Sequence, residues 1–309
     1  MNVAKPDESL LGIAAVERDT GVSKDTLRVW ERRYGFPAPV RDDNGDRLYP
    51  MSQVERLRLI RRLLDMGCRP AKVVGASDDE LNAMLANLEP ARSEATLPRA
   101  HPDLGGFIES IRLHRCMELR AGLQQMLMKQ GLQRFVADTL CHLNREVGQA
   151  WMRGELDVPE EHLYTEQVQN LLRSAIGTQA SGGGGRPRVL LTTFPDELHG
   201  LGLLMVEAML VPEGASCVSL GVQTPMSDIC SAAVEGGFDV VALSFSSAFP
   251  HRQAMDGLSE LRRLLPATVA LWAGGGAVQG RRTIEGVQLM STLDESLQAL
   301  QAWRAARLT

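Results

Sequence analysis

A chain of 309 residues with 44% hydrophobic residues is long enough for two or three domains with proper cores, which excludes an intrinsically disordered protein. No apolar run approaches ~20 residues, so the sequence predicts no transmembrane segment. The polar stretch 1–8 lacks the apolar core of a signal peptide. Five scattered cysteines without a C-x-x-C pair favour reduced thiols in a cytoplasm over disulfides or a zinc site.

The net charge of −5 argues by itself against a nucleic-acid partner, but the charge is unevenly distributed. Residues 1–75 contain 14 lysines and arginines against 11 aspartates and glutamates. This part of the chain is therefore basic, and the remainder carries the excess of negative charge. A DNA contact is expected in the N-terminal part, if anywhere.

The N-terminal part predicts two helices separated by a tight turn, followed by a hairpin. Ser23 is a good N-cap for a helix over 24–34. In that helix Leu27 and Trp30 lie three apart and are expected to pack inward, which turns the arginines outward. The run Asp42-Asp-Asn-Gly45 is a strong hairpin signal. The remaining predicted elements are a first helix from Ile13, a turn over 20–22, a third helix over 52–65 and a short helix over 70–74.

The motif Thr-Gly-Val-Ser-x-x-Thr-Leu-Arg-x-Trp-Glu-Arg-Arg-Tyr-Gly over 20–35, with Asp-Arg-Leu-Tyr over 46–49, resembles the MerR-type winged helix-turn-helix. Alone, Arg-Arg-Tyr is typical of a solvated helix face, but the full pattern favours a DNA-binding domain over 8–76. Cys68 alone cannot form the cysteine metal site of effector-metal members of this superfamily.

The MerR resemblance implies a double-stranded DNA operator as partner and a set of contact residues. Glu31 is expected to be a buried salt-bridge partner rather than a DNA contact. Residues expected in or near the major groove are Lys24, Thr26, Arg28 and Arg32. Residues expected at phosphates or the flanking minor groove are Arg33, Tyr34, Arg41, Arg47 and Tyr49.

The middle of the chain predicts a helical bundle. Residues 77–103 have the pattern of a fading helix and a polar linker, and 104–180 predict about four helices, with breaks near 113, 131 and 154–159. Within this bundle, nine residues separate Trp151 from Glu161 and His162. The spacing bridges a helix end, a turn and the next helix start, so the three side chains could meet at one edge of the bundle. A core tryptophan beside a charged helix start is the alternative.

A glycine run over 181–185 predicts a flexible joint, after which three apolar strands are expected over 188–194, 239–243 and 268–272. Each strand is followed by a distinctive motif. The motifs are Glu197-Leu-His199-Gly-Leu-Gly202, Ser244-Phe-Ser246 and Gly274-Gly275-Gly276. Open α/β sheets bind their ligands at the carboxyl ends of the strands, so the three motifs are expected to line one slot. A lone histidine or glycine run would more often be an ordinary loop feature; the common spacing favours a site.

The three motifs resemble the cobalamin-binding domain, whose pattern is Asp-x-His-x-x-Gly, then Ser-x-(Leu/Thr/Val), then Gly-Gly. The resemblance implies an α/β Rossmann-like (flavodoxin-like) domain over 186–309, with His199 as the lower axial ligand of cobalt. Glu197 stands where the family usually has Asp, so its contact with the histidine is expected to be longer or water-mediated. The cofactor-binding residues implied are Glu197, His199, Gly202, Thr224, Ser244, Ser246, Gly274 and Gly275.

The order of the three parts resembles the CarH/LitR-type, MerR-family, cobalamin-dependent photoreceptor transcriptional regulators. In that family Trp-x9-Glu-His marks the four-helix cap above cobalt, which implies adenosylcobalamin contacts from Trp151, Glu161 and His162. The resemblance implies a light-responsive repressor without enzymatic activity. It would bind DNA as a tetramer in the dark and become a smaller species when light cleaves the cobalt–carbon bond.

One residue departs from the family pattern. Met152 stands where a well-known member has a histidine that captures cobalt after illumination. The lit state is therefore expected to be aquo, thioether-bound or ligated by another histidine, of which His142 is a weak candidate.

Three other functions remain open from the sequence. A corrinoid-binding enzyme module shares the slot and a helical cap, although the chain has no room for a catalytic barrel. A haem- or redox-sensing regulator of the same layout is the second. A regulator that binds no ligand is the third.

Overall fold

A computed structural model describes residues 10–42, 45–65, 68–87, 104–179, 185–279 and 283–307. The chain divides into two compact units, residues 1–96 and 97–309. Several sequence features lie outside the described residues: the tip of the hairpin at 43–44, most of the linker at 88–103, and the glycine joint at 181–184.

The N-terminal unit is a small three-stranded sheet with helices packed on it. Its strands follow the order β1-β3-β2 and are antiparallel, with Arg41 opposite Arg47 in the hairpin. Strand β1 is not among the elements that the sequence predicted. The elements are β1 (Leu10–Gly12), α1 (Ile13–Thr20), α2 (Lys24–Tyr34), β2 (Val40–Arg41), β3 (Arg47–Pro50), α3 (Met51–Asp65), α4 (Pro70–Val73) and α5 (Asp78–Asn87).

Helix α2 has the bounds that its capping residues predict. The hydroxyl of Ser23 accepts a hydrogen bond from the backbone N–H of Thr26, and Gly35 ends the helix in the left-handed conformation. Leu27 and Trp30 are buried in the core of the unit, as their spacing predicted.

The second unit begins with a bundle of four helical segments. They are α6 (Gly105–Arg112), α7 (Cys116–Gln130), a continuous segment from Leu132 to Met152, and α10 (Val158–Gln179). The continuous segment consists of α8 (Leu132–Arg134), a π-helical stretch (Phe135–Leu140) and α9 (Cys141–Met152). The helix breaks lie where the sequence predicted them.

A five-stranded parallel sheet follows, in the order β5-β4-β6-β7-β8. Strands β4 and β6 carry continuous apolar runs because helices cover both of their faces. The elements are β4 (Arg188–Thr192), α11 (Leu201–Leu210), β5 (Ser216–Gly221), α12 (Met226–Glu235), β6 (Val240–Ser244), α13 (His251–Leu264), β7 (Ala270–Gly274), β8 (Val287–Met290) and α14 (Asp294–Ala305).

Helix α11 joins the sheet to the bundle. Its residues Met205, Ala208 and Met209 belong to the same buried cluster as the core of the bundle. Gln133 donates to the carbonyl of Met209 over 2.9 Å, and Asn144 donates to the sulfur of Met205 over 3.2 Å. The segment 132–152 therefore runs in the opposite direction to α11. Among the described residues, no helix is long and apolar enough to cross a membrane.

Candidate cofactor site and DNA-binding surface

The candidate cofactor site lies where the strand order reverses. The chain leaves β4 for β5 on one side and returns to β6 on the other, so the loops after β4 and β6 flank a crevice. Such a switch point is where open parallel sheets bind ligands. Ser244 pairs with Gly274 in the register of β6 and β7, so the three motifs reach the same edge of the sheet.

Glu197 and His199 form the centre of this edge. The Nδ1 of His199 lies 2.7 Å from Oε1 of Glu197, and the same oxygen accepts the backbone N–H of His199 at 3.0 Å. The carboxylate is 1% exposed, whereas 56% of the histidine side chain is exposed. The site thus consists of a buried anion holding an imidazole that faces outward.

The second oxygen of Glu197 is bound by the loop after β6. It accepts hydrogen bonds from the backbone N–H of Ser246 at 2.7 Å and from its hydroxyl at 2.9 Å. Burial works to raise the pKa of Glu197, but the hydrogen bonds from His199 and Ser246 outweigh it and lower this pKa below its ordinary value. The ionised carboxylate can only accept, so the histidine Nδ1 carries a proton; in the neutral ring the lone pair is then on Nε2.

The direct contact corrects the expectation of a longer or water-mediated contact from Glu197. Asp196 adopts a positive φ of 69°, a left-handed turn that is uncommon for a residue other than glycine. Glu197 follows this turn, is 1% exposed, and reaches the ring two residues later directly, over 2.7 Å. The longer side chain therefore does not require a water bridge.

The glycines of the motifs allow the loops to approach one another. A Cβ at Gly202 would overlap the hydroxyl of Ser244, and one at Gly275 would overlap the carbonyl of Phe245. Gly275 also has a φ of +103°, which side chains rarely tolerate. A Cβ at Gly274, in contrast, would only reach ordinary contact with Met290. From the sequence, this glycine run is predicted to let a ligand approach the backbone. In the structure, the absence of a side chain at Gly275 makes room for the backbone of Phe245.

Threonines connect the remaining loop to the site. The hydroxyl of Thr192 donates to that of Thr224 over 2.7 Å, and the backbone N–H of Thr224 donates to the carbonyl of Thr193. The hydroxyl of Thr193 donates to the carbonyl of Glu197 over 2.8 Å. Thr224, a predicted cofactor residue, is therefore tied to the same strand end as the histidine.

The predicted cap residues lie near two neighbouring helix ends, Trp151 in the last turn of α9 and Glu161 and His162 near the start of α10. Since α9 runs opposite to α11, its last turn with Trp151 extends past Met205 toward the start of α11, which follows His199. Trp151 is half-buried against the bundle core. On α10, Glu161 accepts a hydrogen bond from Thr165 and lies 3.7 Å from the 71% exposed His162.

A buried polar chain that sequence reasoning missed connects the cap with α11. The hydroxyl of Tyr164 donates to Asn144 Oδ1, and Asn144 in turn donates to Met205. Tyr164 is 2% exposed, and burial raises the pKa of its hydroxyl well above the ordinary value. The spacing of these three residues along the chain does not indicate the contact, because they lie on three separate helices.

His142, the weak candidate for an upper ligand, donates a hydrogen bond from Nδ1 to the carbonyl of Asp138 over 2.7 Å. A carbonyl can only accept, so this nitrogen carries the proton. The side chain of Met152 lies outside the described residues.

In the N-terminal unit, α2 presents a basic outer face. Arg28, Arg32 and Arg33 are exposed, while Lys24 forms an ion pair with Glu17 at 3.2 Å. Arg28 lies 3.0 Å from Asp25, and Arg33 stacks on the ring of Tyr34. Thr26 is half-buried beside its capping serine, and Arg41 on the hairpin is exposed.

Two residues of β3 behave differently. Arg47 pairs with Glu31 at 2.7 Å and joins the hairpin to α2, which confirms the expected salt-bridge role of Glu31. Tyr49 is fully buried, so its predicted contact with DNA is wrong. Residues alternate faces along a strand, and the face that holds Tyr49 is packed against the helices. Within the described residues its hydroxyl has no hydrogen-bond partner.

Comparison with known families assigns each part of the chain. The model of the MerR HTH family regulatory protein matches residues 11–78. Two models described as B12 binding domain match residues 116–175 and 187–287. The matches cover the basic unit, the bundle and the parallel sheet in that order.

Two curated relatives from Myxococcus xanthus are similar over most of their length. The HTH-type transcriptional repressor CarA is 30% identical over 275 residues, which are 89% of this chain and 90% of CarA. The HTH-type transcriptional repressor CarH is 28% identical over 267 residues, 85% of this chain and 88% of CarH. Among solved structures, the monomethylamine corrinoid protein of Methanosarcina barkeri matches 64% of this chain and 96% of its own, with a TM-score of 0.52. At 17% identity this likeness concerns the fold alone.

Proposed function

Because this chain belongs to the family of MerR-type transcriptional regulators that includes CarA and CarH, we propose that it is a transcriptional repressor controlled by bound cobalamin. It is a regulator rather than an enzyme, in line with these relatives. The observation that carries the proposal is the buried carboxylate of Glu197, which holds an exposed imidazole at the switch point of the sheet.

The donor set at this point fits a corrin cobalt. Neutral imidazole is a good ligand for transition metals, and the carboxylate bound to its other nitrogen sets the tautomer and increases its basicity. His199 would bind cobalt through Nε2, with Ser246 orienting Glu197. Gly202, Thr224, Ser244, Gly274 and Gly275 would form the walls that receive the rest of the cofactor.

We assign the adenosyl form of the cofactor to this site. Trp151 in the last turn of α9 and Glu161 and His162 near the start of α10 would form a cap over a large upper group, and the antiparallel run of α9 and α11 supports this role. When bound, adenosylcobalamin supplies a cobalt–carbon bond that light can cleave. In this proposal the cap spans 104–180 and the cofactor domain 186–309.

The regulatory step is a change of assembly. The loaded protein forms a tetramer in the dark and binds its operator. Several DNA-binding units on one assembly raise the apparent affinity for DNA. Loss of the upper group in light would leave the cap residues without their contact, and the tetramer would dissociate. The contacts from Tyr164 through Asn144 to Met205 link the cap to the helix that follows His199. The cofactor can shift this equilibrium only by the difference in its affinity for the two assemblies.

The test is size-exclusion chromatography with light scattering on the full chain reconstituted with adenosylcobalamin, in darkness and after illumination. A large species in the dark that becomes smaller after light is expected. H199A should lose the absorption spectrum of the histidine-ligated cofactor, while E235Q, an exposed change elsewhere on the domain, should retain it. An unchanged size after illumination would contradict light control, and an unchanged H199A spectrum would contradict the ligand assignment.

A further inference from the structure

Helix α7 has an exposed face whose centre carries no charge. Met117 and Met128 are 78% and 79% exposed, the highest values among the exposed large hydrophobic residues. Ala121, Gln124 and Gln125 lie between them and are also exposed. Exposed helices usually present charged side chains at the middle of the solvated face. On α7, all of which the structure describes, the exposed charges lie to either side, at Glu118, Arg120 and Lys129.

The spacing of this neutral strip is that of a helix-pairing seam. Met117, Ala121, Gln124 and Met128 follow one another at intervals of four, three and four residues. This is the a/d pattern by which one helix packs along another. The opposite face of α7 is already buried in the bundle through Leu119 and Leu123, so the strip is not needed for the fold of the single chain.

From this strip we propose that α7 pairs with α7 of a second copy of this chain, antiparallel and about a two-fold axis. The strip is self-complementary in that arrangement: Met117 faces Met128 of the second copy, and Ala121 faces Gln124. A small residue thus meets a larger one at the centre, and methionines, which adapt to each other's shape, meet at both ends.

The charges beside the strip support a second copy as the occupant. Glu118 and Lys129 each follow a methionine of the strip by one residue, so they lie on the same side of the helix. The two-fold axis pairs side chains on one side of the helix with side chains on the same side of the second copy. Glu118 therefore lies beside Lys129 of the second copy. Opposite charges therefore meet across the contact, and twice because of the symmetry. Within one chain Glu118 is paired only loosely, at 3.5 Å from Arg115.

This inference rests on the assembly in the proposed function and specifies one of its interfaces. A pair of dimers needs two kinds of contact, and an isologous contact between α7 helices supplies one of them. Three helical turns alone bury less than a standard interface, so the exposed Leu113 just before α7 is expected to extend the contact.

The experiment introduces a charge at either end of the strip. It uses the full chain loaded with adenosylcobalamin, in darkness. The lysine introduced by M117K would face Met128 of the second copy, next to Lys129. The glutamate introduced by M128E would face Met117 of the second copy, next to Glu118. Each single variant should weaken the assembly about tenfold or more and roughly halve the mass at moderate concentration. The double variant M117K/M128E should regain the assembly, because opposite charges then face each other. M117L and N170K, the latter on the exposed face of α10, are the controls and should keep the wild-type mass.

Absorption spectra and circular dichroism of each variant separate this contact from cofactor binding and folding. Unchanged spectra with loss of mass in the single variants and recovery in the double variant would support the pairing. A wild-type mass in M117K and M128E, or no recovery in M117K/M128E, would overturn it while leaving the proposed function standing. A changed affinity for DNA at an unchanged mass would overturn the pairing and indicate a role of the strip in DNA binding instead. A wild type that stays monomeric when loaded would overturn both the pairing and the proposed assembly.

Discussion

The carboxylate of Glu197 accepts a 2.7 Å hydrogen bond from the imidazole of His199, although only one residue separates the two in sequence. The left-handed turn at Asp196 makes this contact possible, and the loop after β6 completes it through Ser246. The buried anion fixes the tautomer of a neutral outward imidazole, which is the arrangement that the proposed metal ligand requires. The predictions below concern this contact and the loops around it, and then the DNA-binding unit.

E197Q is expected to weaken cobalamin binding about 10- to 100-fold, since outer partners of metal-binding histidines contribute on that scale. The amide keeps one acceptor for the imidazole but presents an NH2 group to the N–H of Ser246, which then lacks a partner. Titration of the protein with cobalamin, followed by absorption, measures the change. An affinity equal to that of the control E235Q would exclude a role of the carboxylate in ligand positioning.

The same carboxylate makes stability depend on pH. Its pKa in the folded protein is lowered below the ordinary value of 4.5, so its contribution is fully present above that value and is lost as pH falls through the folded pKa. The difference in unfolding free energy between wild type and E197Q should therefore shrink as the pH falls below 4.5. Urea titrations of both cofactor-free proteins from about pH 5 to about 3 test this. A difference that grows as the pH falls below 4.5 would contradict the direction of the shift.

The two serines after β6 are expected to differ. S246A removes a hydroxyl that donates to the buried carboxylate, a type of hydrogen bond that contributes about 1.5–3 kcal/mol. S244A removes a hydroxyl that lies against Gly202 and makes no contact with Glu197 among the described hydrogen bonds. Cobalamin affinity should fall further in S246A than in S244A. The reverse order would mean that Ser244 supports the site in another way.

G275A should destabilise the cofactor-free protein by about 2–4 kcal/mol, because its new methyl overlaps backbone and its φ is positive. G274A is a matched control on the preceding residue, where the methyl meets only ordinary contacts. Thermal or urea unfolding without cofactor separates this effect from ligand binding. Equal stability of the two variants would disprove the packing role of Gly275.

In the DNA-binding unit, Y49F should leave operator affinity unchanged, because Tyr49 is buried and cannot reach DNA. Its stability should lie within about 1 kcal/mol of wild type or above it, since the lost hydroxyl has no partner within the described residues. R32A, on the exposed face of α2, should weaken operator binding by about 1–3 kcal/mol. Fluorescence anisotropy with operator DNA and chemical denaturation give both quantities. Loss of affinity in Y49F at unchanged stability would return Tyr49 to the DNA contacts.

Much of the fold could be predicted because its signals are local. The bounds of α2 follow from Ser23 and Gly35, and the inward positions of Leu27 and Trp30 follow from their spacing. The ends of β4, β6 and β7 were predicted within two residues because buried parallel strands are apolar throughout, whereas β5 and β8 were not predicted. Strand β1 was missed because it has only three residues and gains its partner from β3, which lies far along the chain.

The sequence by itself determined the order of the parts, the residue types at the strand ends and the family that they resemble. Only the tertiary structure decided which of those residues touch: Ser246 rather than Ser244 on Glu197, Tyr49 in the core rather than at the surface, and Asn144 between Tyr164 and Met205. Helix caps and apolar periods act between neighbours in the chain. Contacts across loops and helices depend on strand register and on single backbone turns such as that at Asp196, which no local pattern encodes.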